Sequence, residues 1–364
     1  MLPYLQEALA RRSVSFASLC FAVIVLASIT AHAQWLNHRT PGIPRTADGK
    51  ADLSAPTPRL SDGKPDLSGL WYPTTFTHLR NVMADMRPED VPFRPWASAV
   101  YEARMAKDDP AARCMPLGIP RSLNSMLKIL QTPGAVTVLY ENHKHYREIF
   151  VDGRPLPVDP NPSWFGYSTG RWEADVFIVE SVGFNDKTWL DYFGHPHSES
   201  LRVIERYSRT DFGHMDVQVT IDDPGTYTRP FTVTYPLALS PDTEMIETIC
   251  EDNGQILARL VGTDLAHPPT RRTITVDPEL LQRYSGTYEL APGRNIVVTP
   301  GRDRLMMTFP GNPDTLTMFA ETQTRFLFTT RDEVIEFQGN GDQPVAGLVI
   351  HSRGSEQMAV RKNP

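Results

Sequence analysis

Between residues 215 and 239 apolar and polar side chains alternate with a period of two. Met215, Val217, Val219 and Ile221 fall on one side of 215–222, with Asp216, Gln218, Thr220 and Asp222 on the other. The stretch 231–239 repeats the pattern through Phe231, Val233, Tyr235, Leu237 and Leu239. A period of two belongs to extended chain, and one apolar and one polar face belong to an antiparallel sheet buried on one side. Less regular alternation predicts further strands over 135–141, 145–151, 173–180 and 200–208, beyond a change of period at Leu127. Turns are expected at Asp152-Gly153, Asp211-Phe212-Gly213 and Asp222-Asp223-Pro224-Gly225. The one helix candidate runs from Pro95 to Lys107, where Trp96, Val100, Ala103 and Met105 give an imperfect apolar face.

After Asn253-Gly254 a Pro- and Arg-rich stretch, 265–274, reads as a linker. Beyond it, short strands are expected at 284–290, 294–299, 304–309, 314–319, 324–330, 333–338, 344–351 and 355–361. Eight short strands separated by turns suit a closed antiparallel barrel. Residues 34–70 read instead as an extended, Pro-rich arm with an internal duplication, Asp48-Gly49-Lys50-Ala51-Asp52-Leu53-Ser54 recurring as Asp62-Gly63-Lys64-Pro65-Asp66-Leu67-Ser68. The expected fold is therefore mainly β, with two antiparallel barrel-like units: a Pro-rich arm, an N-terminal β domain over 71–264 containing one short helix, and a C-terminal barrel over 275–364.

The N-terminus adds a destination. Arg11 and Arg12 precede an apolar run from Val14 to Thr30, and Ala31-His32-Ala33 offers a signal-peptidase site before Gln34. The run is short for a membrane span and no basic stop-transfer cluster follows it, so 1–33 reads as a signal peptide and no membrane anchor is expected after cleavage. The expected location is periplasmic or secreted. Removing two arginines and one glutamate with the leader takes the net charge from −7 to −8. An acidic chain without basic clusters excludes nucleic acid as an expected partner. Once Cys20 goes with the leader, Cys114 and Cys250 remain, and two cysteines in an oxidising compartment predict one disulfide.

The stretch Tyr284-Ser285-Gly286-Thr287-Tyr288-Glu289-Leu290-Ala291-Pro292-Gly293, with Thr324-Arg325-Phe326 and Gly347-Leu348-Val349-Ile350-His351, resembles the lipocalin-like β domain appended to serine β-lactamase-like hydrolases and peptidases. The resemblance covers about 275–362 and implies an accessory role, in assembly or substrate access, without catalytic residues. The usual catalytic partner, with its Ser-x-x-Lys motif, is expected to be missing from the mature chain, so acyl-serine chemistry is not expected to carry over; an oligomer formed through this domain is one implication. The N-terminal region resembles a family of exported bacterial proteins without an assigned reaction, through Pro65-Asp66-Leu67-Ser68-Gly69-Leu70-Trp71, Gly170-Arg171-Trp172-Glu173, Gly183-Phe184-Asn185-Asp186 and His195-Pro196-His197-Ser198-Glu199. That resemblance implies export and a β fold.

Candidate chemistry concentrates between 143 and 199. In extended chain His195, His197 and Glu199 point the same way, a pattern suited to a divalent metal such as zinc or iron, or to metal-free acid–base or ligand contacts. A polar loop bonded to backbone is the bland reading, and Pro196 argues against a regular strand there. A second cluster holds His143, His145, Arg147, Asp152 and Arg154. An inward Arg147 would suit an anion, and an Arg154–Asp152 pair fixing the turn is the alternative. Gly166-Tyr167-Ser168-Thr169-Gly170 matches Gly-x-Ser-x-Gly, but strand-like sequence follows it where a nucleophile elbow needs a helix. Trp164, Phe165, Trp172, Trp189, Tyr192 and Phe193 make 160–195 aromatic, and the long loop Gly183–His197 is where binding is expected. The leading expectation is a small-molecule ligand held in a cavity of the N-terminal barrel by Arg147, Arg154, Trp189, Asp191, His195 and His197. The alternatives are an enzyme (hydrolase, lyase or isomerase) using His195, His197 and Glu199, and a structural or assembly protein.

Overall fold

A computed structural model describes residues 39–142, 145–250, 267–268, 270–312, 314–339, 344–352 and 355–362. The segment expected to be a signal peptide, 1–33, and His143 lie outside them. A small unit contains the described residues 39–43 with Pro241–Glu244, where the backbones and side chains of Thr40 and Asp242 exchange hydrogen bonds of 2.9 and 3.0 Å. The large unit, Pro44–Ser240 with Met245–Pro364, contains two closed barrels.

The first barrel has nine strands in sequence order: β1 (Gly69–Pro73), β2 (Leu127–Gln131), β3 (Ala135–Tyr140), β4 (Tyr146–Phe150), β5 (Tyr167–Glu173), β6 (Val176–Val182), β7 (Arg202–Arg209), β8 (His214–Asp222) and β9 (Phe231–Leu239). An odd number of strands cannot close with every neighbour antiparallel, because direction must alternate an even number of times around the ring. The chain meets this with one parallel pair, Ile149 opposite Ser168 on β4 and β5, made possible by the long return through 151–166. The strongest sequence alternation maps onto β8 and β9, whose predicted apolar faces are buried throughout. The strand expected at 173–180 lies at Val176–Val182, because Ala174-Asp175 forms the turn from β5; Ala174 has a φ of +51°. Gly69 and Leu70 open β1, so the first barrel's chain begins within the expected arm. Trp71 is fully buried there.

The arm folds its duplication twice over. In each copy one short hairpin closes with the same three backbone bonds, Thr46 N–H to Lys50, Gly49 to Thr46 and Asp52 to Pro44, then Leu60 to Lys64, Gly63 to Leu60 and Asp66 to Pro58, all 2.9 Å. Gly49 and Gly63 sit at φ of +81° and +83°, which side chains disfavour. The arm packs across one end of the barrel, with Phe212 and Gly213 donating to Ala55 and Leu53, and Arg59 forking onto Asp175 at 2.9 and 2.6 Å.

Two helices follow β1: α1 (Thr77–Arg80) and α2 (Pro95–Ala103), the latter started by a proline in its first turn and ending four residues before the expected limit at Lys107. The expected apolar face of α2 is not the buried one. Ala97 is buried, whereas Trp96 and Val100 are exposed and Trp96 donates to the carbonyl of Gly225.

The second barrel is preceded by α3 (Pro278–Tyr284), capped by Asp277, a helix that the sequence reading did not separate from the first strand. Its strands are β10 (Gly286–Ala291), β11 (Arg294–Pro300), β12 (Leu305–Thr308), β13 (Thr315–Ala320), β14 (Arg325–Phe328), β15 (Val334–Gln338), β16 (Gly347–Ser352) and β17 (Ser355–Arg361). All eight neighbour pairs are antiparallel, and β10 closes on β17. Tyr284, Tyr288, Phe326 and Phe337 centre its core, with Tyr284 stacked on Phe337 at 4.1 Å.

The segment after β1 ties the barrels together. Phe76 N–H donates to Asp314 at 3.0 Å, Asn81 to the carbonyl of Thr329 at 2.7 Å, and Arg87 to Thr275 at 3.1 Å. Asp85 receives His78 at 2.9 Å, and Arg304 donates to its carbonyl at 2.5 Å. The imidazole of His78 holds the Asp85 carboxyl below its ordinary pKa, with Arg304 adding to the effect. Cys114 and Cys250 form the expected disulfide, Cα atoms 5.7 Å apart. Among the described residues no helix is long and apolar enough to cross a membrane.

Candidate functional site

The loop between β6 and β7 is folded inward, and most of its chemistry is buried. Gly194, at φ +86°, turns the chain sharply enough to place Asp191 and His195 side by side. A side chain at 194 would press within 3.1 Å of Arg104 and 3.3 Å of Trp189. Asp191 is fully buried; its carboxylate accepts Val82 N–H at 2.7 Å and His195 N–H at 3.1 Å. His195 Nδ1 lies 2.6 Å from the same carboxylate, off the line of an ideal N–H···O bond, so the contact is a close charge-to-ring approach. Phe93 stacks on the His195 ring at 5.5 Å and Tyr101 tilts against it at 4.5 Å. The Tyr101 hydroxyl is held protonated, its pKa raised by burial and by the charge of Asp191.

His195 opens onto a cleft of about 100 Å³ where the two barrels meet. Met83, Met86, Val91, Phe93 and Tyr101 line it from the first-barrel side and Phe328 and Thr329 from the second. Helix α2 contributes Ser98 as well as Tyr101, three residues apart and so on one helical face. With Nδ1 turned to Asp191, Nε2 is the nitrogen left to meet a ligand.

The other expected residues separate. His197 points away from His195: its Nε2 pairs with Thr188 at 2.6 Å and its Nδ1 faces the Ser198 carbonyl at 3.2 Å. Burial lowers its pKa, favouring the neutral ring. Glu199 is exposed, because Ser198 bonds Asp223 through both N–H and hydroxyl at 2.6 Å and swings 198–200 into a turn. The strict alternation assumed across 195–199 does not hold, and the three do not gather. Among the described residues no group of three or more His, Cys, Asp or Glu could hold a metal ion.

Arg147 does face inward, sharing parity with Ile149, but protein groups occupy it. Its guanidinium donates to Ser168 at 2.9 Å, Ser181 at 2.6 Å and Glu205 at 2.6 Å, and Tyr207 completes the carboxylate at 2.8 Å. Nearby Tyr140 has its pKa pushed up to about 12 by burial. The cavity expected inside this barrel is thus filled at Arg147 by an ion pair. Arg154 forks onto Asp152 at the exposed turn and lies 4.0 Å over Phe150. Ser168 is the second residue of β5, in extended chain and without an elbow. His145 packs near Phe165, ring centres 6.0 Å apart. Trp189 is buried, with Arg104 4.9 Å over its ring, and it supports the Gly194 turn. Arg121, fully buried and paired with Asp109 at 2.8 Å, backs the same ring at 5.8 Å.

Sequence reasoning named His195 and Asp191 but missed Phe93, Tyr101 and Thr329, which are far apart in the chain and meet only at the barrel junction. Ser-x-x-Lys does occur twice, at Ser61–Lys64 and Ser125–Lys128. Lys64 belongs to an exposed hairpin, 3.5 Å from Asp62. Ser125 is extended and buried while Lys128 lies exposed on β2, so neither tetrad follows the helical geometry that sets a lysine against its serine.

Of the comparisons with known proteins, the family match falls on the second barrel. A family model described as a domain of unknown function (DUF3471) matches residues 270–362, consistent with the C-terminal resemblance. The chain is 27% identical over 130 residues to penicillin-binding protein 4* of Bacillus subtilis (strain 168), covering 36% of this chain and 28% of that protein. Two solved structures of SurE, the first with D-Leu, align at 13% identity over 44% and 46% of this chain, and 35% and 38% of theirs. Their TM-scores of 0.21 and 0.20 are too low to carry an argument. The disulfide and the penicillin-binding relative are compatible with an extracytoplasmic location.

Proposed function

We propose that this protein is exported and captures a small, partly aromatic or apolar ligand in the cleft between its barrels. The observation that carries the reading is His195, buried, backed by Asp191 and stacked on Phe93, at the wall of an otherwise largely apolar cleft. Ligand sites commonly combine an apolar surface with a few fixed polar groups, and this cleft has that composition. The aromatic wall supplies contact area and His195 supplies orientation. Trp189 lies beside the same loop, so binding reads out as a change in tryptophan emission. A screen of small aromatic and apolar molecules is expected to yield ligands that shift emission and raise the melting temperature. Phe93→Ala weakens them by roughly tenfold through lost stacking. Hits that bind Phe93→Ala and His195→Gln as tightly as the parent would overturn the cleft reading.

A second reading, an acid–base enzyme of the hydrolase, lyase or isomerase type, is favoured by the same dyad. Asp191 orients the imidazole, Nε2 takes a proton from a bound substrate, and the protonated Tyr101 hydroxyl supplies one. The relationship to a penicillin-binding protein gives the hydrolase version some support, though not through its serine chemistry. Chemical conversion of a captured ligand that disappears in His195→Gln while binding persists selects this reading; a ligand recovered unchanged selects capture alone.

A further inference from the structure

The cleft does not end at Phe328. Pro88, Pro268 and Phe328 also line a continuation bounded by Arg271, Leu327 and Arg331, and Arg331, Asp332 and Glu333 carry that on to a broad opening beside Arg80 and Ser352. The two barrels therefore frame one groove with His195 at its inner end and Arg80 and Arg331 at its outer end. Among the described residues, neither Arg80 nor Arg331 is paired with a carboxylate; Arg331 instead lies 5.8 Å over the Phe309 ring. The loop that carries Arg331 from β14 to β15 is also short of partners. Thr329 Oγ1, Thr330 Oγ1 and Arg331 Nε are buried with no hydrogen-bonding group on them. Buried polar atoms are usually met by protein, water or a ligand, and of these residues Thr329 and Arg331 lie on the groove itself.

Resting on the cleft reading above, we propose that the ligand is amphiphilic and acidic: an aromatic or apolar body against Phe93, Met83 and Phe328, with a carboxylate, sulfonate or phosphate on Arg80 and Arg331. Arginine suits that role because its planar fork binds such oxyanions through paired hydrogen bonds. Arg271 lies 3.9 Å from Glu321, while Arg80 and Arg331 share the opening with Asp332 and Glu333. An oxyanion is therefore gripped by the directed N–H forks of the two arginines and not by a net positive charge.

The test uses anilinonaphthalene sulfonate and its uncharged parent anilinonaphthalene, which share one aromatic body, titrated into the full chain by fluorescence. The sulfonate is expected to bind roughly tenfold more tightly, an advantage that shrinks in added salt. Arg331→Gln and Arg80→Gln, two independent variants should one perturb folding, each remove most of that advantage and leave the parent's affinity unchanged. Ser98→Trp, which fills the cleft from α2, weakens both probes. Equal affinities for the two probes, with both lost in Ser98→Trp, leave capture in the cleft standing and overturn the acidic ligand. Probes that ignore Ser98→Trp, or bind nowhere, overturn both.

Discussion

In the nine-stranded barrel Arg147 and Glu205 meet at 2.6 Å with almost no exposure, whereas the eight-stranded barrel fills a comparable interior with Tyr284, Tyr288, Phe326 and Phe337. The contrast follows from closure. Eight strands close with every neighbour antiparallel, and that interior is filled by apolar and aromatic side chains. Nine strands need a parallel seam, and β4 and β5 share only two paired positions there. Arg147 rises from one side of that seam and reaches Ser168 on the other, then Ser181 and Glu205 on the next two strands. Side chains thus staple the place where the backbone ladder is shortest. The barrels also divide the labour at the junction: the first supplies the buried dyad, and the second supplies a wall with polar groups still unpartnered.

The largest expected effect breaks the staple. Glu205→Leu leaves Arg147 charged and buried, and is expected to cost about 3–5 kcal/mol in urea denaturation. Arg147→Leu combined with Glu205→Leu restores most of that loss, since an apolar pair of similar volume removes the stranded charge. A double variant as unstable as the single one would show that the hydrogen bonds to Ser168 and Ser181, and not the charge, hold the seam.

An effect of similar size, from cavity formation alone, is expected in the second barrel. Phe337→Ala removes the ring stacked on Tyr284 and costs about 3–5 kcal/mol. All six tryptophans precede residue 190, so their emission reports the other half of the chain. Circular dichroism is expected to show an early transition in Phe337→Ala that tryptophan emission does not follow. Coincident transitions would mean that the contacts through Phe76, Asn81 and Asp85 make the two barrels unfold as one.

The smallest effect is electrostatic and belongs to the first barrel. Burial lowers the His197 pKa below its ordinary 6.5, so the unfolded chain takes up a proton near that pH before the folded chain does. Stability from this group is complete above about pH 6.5 and declines as the pH falls toward the lowered folded value. His197→Gln is expected to flatten that part of the stability–pH curve; an unchanged slope assigns it to another group.

Much of this architecture was legible before folding was considered. Alternation in 215–222 and 231–239 follows directly from strands with one buried face, and all eight second-barrel strands answer to short apolar runs between turns. The duplicated Asp-Gly-Lys segment carries its own turn chemistry and folds twice into one hairpin. Two cysteines beyond the expected leader were enough to propose the bond that Cys114 and Cys250 make. Such features depend on residues near one another, or on a count, and a linear chain displays both. β5 was missed because its faces do not separate cleanly: Ser168 is buried and Gly170 lies where a side chain would strike Phe177.

What the chain could not display was which partners fill each space. His195, His197 and Glu199 share parity on paper, yet the Asp223 cap turns the backbone between them and sends their side chains to three environments. Arg147 was placed inward correctly, but Glu205, 58 residues away, occupies the position an outside anion would have taken. The groove exists because residues near 90, 195 and 330 meet where two barrels abut. Such a space depends on the positions of surfaces in three dimensions, and only the packed structure fixes those.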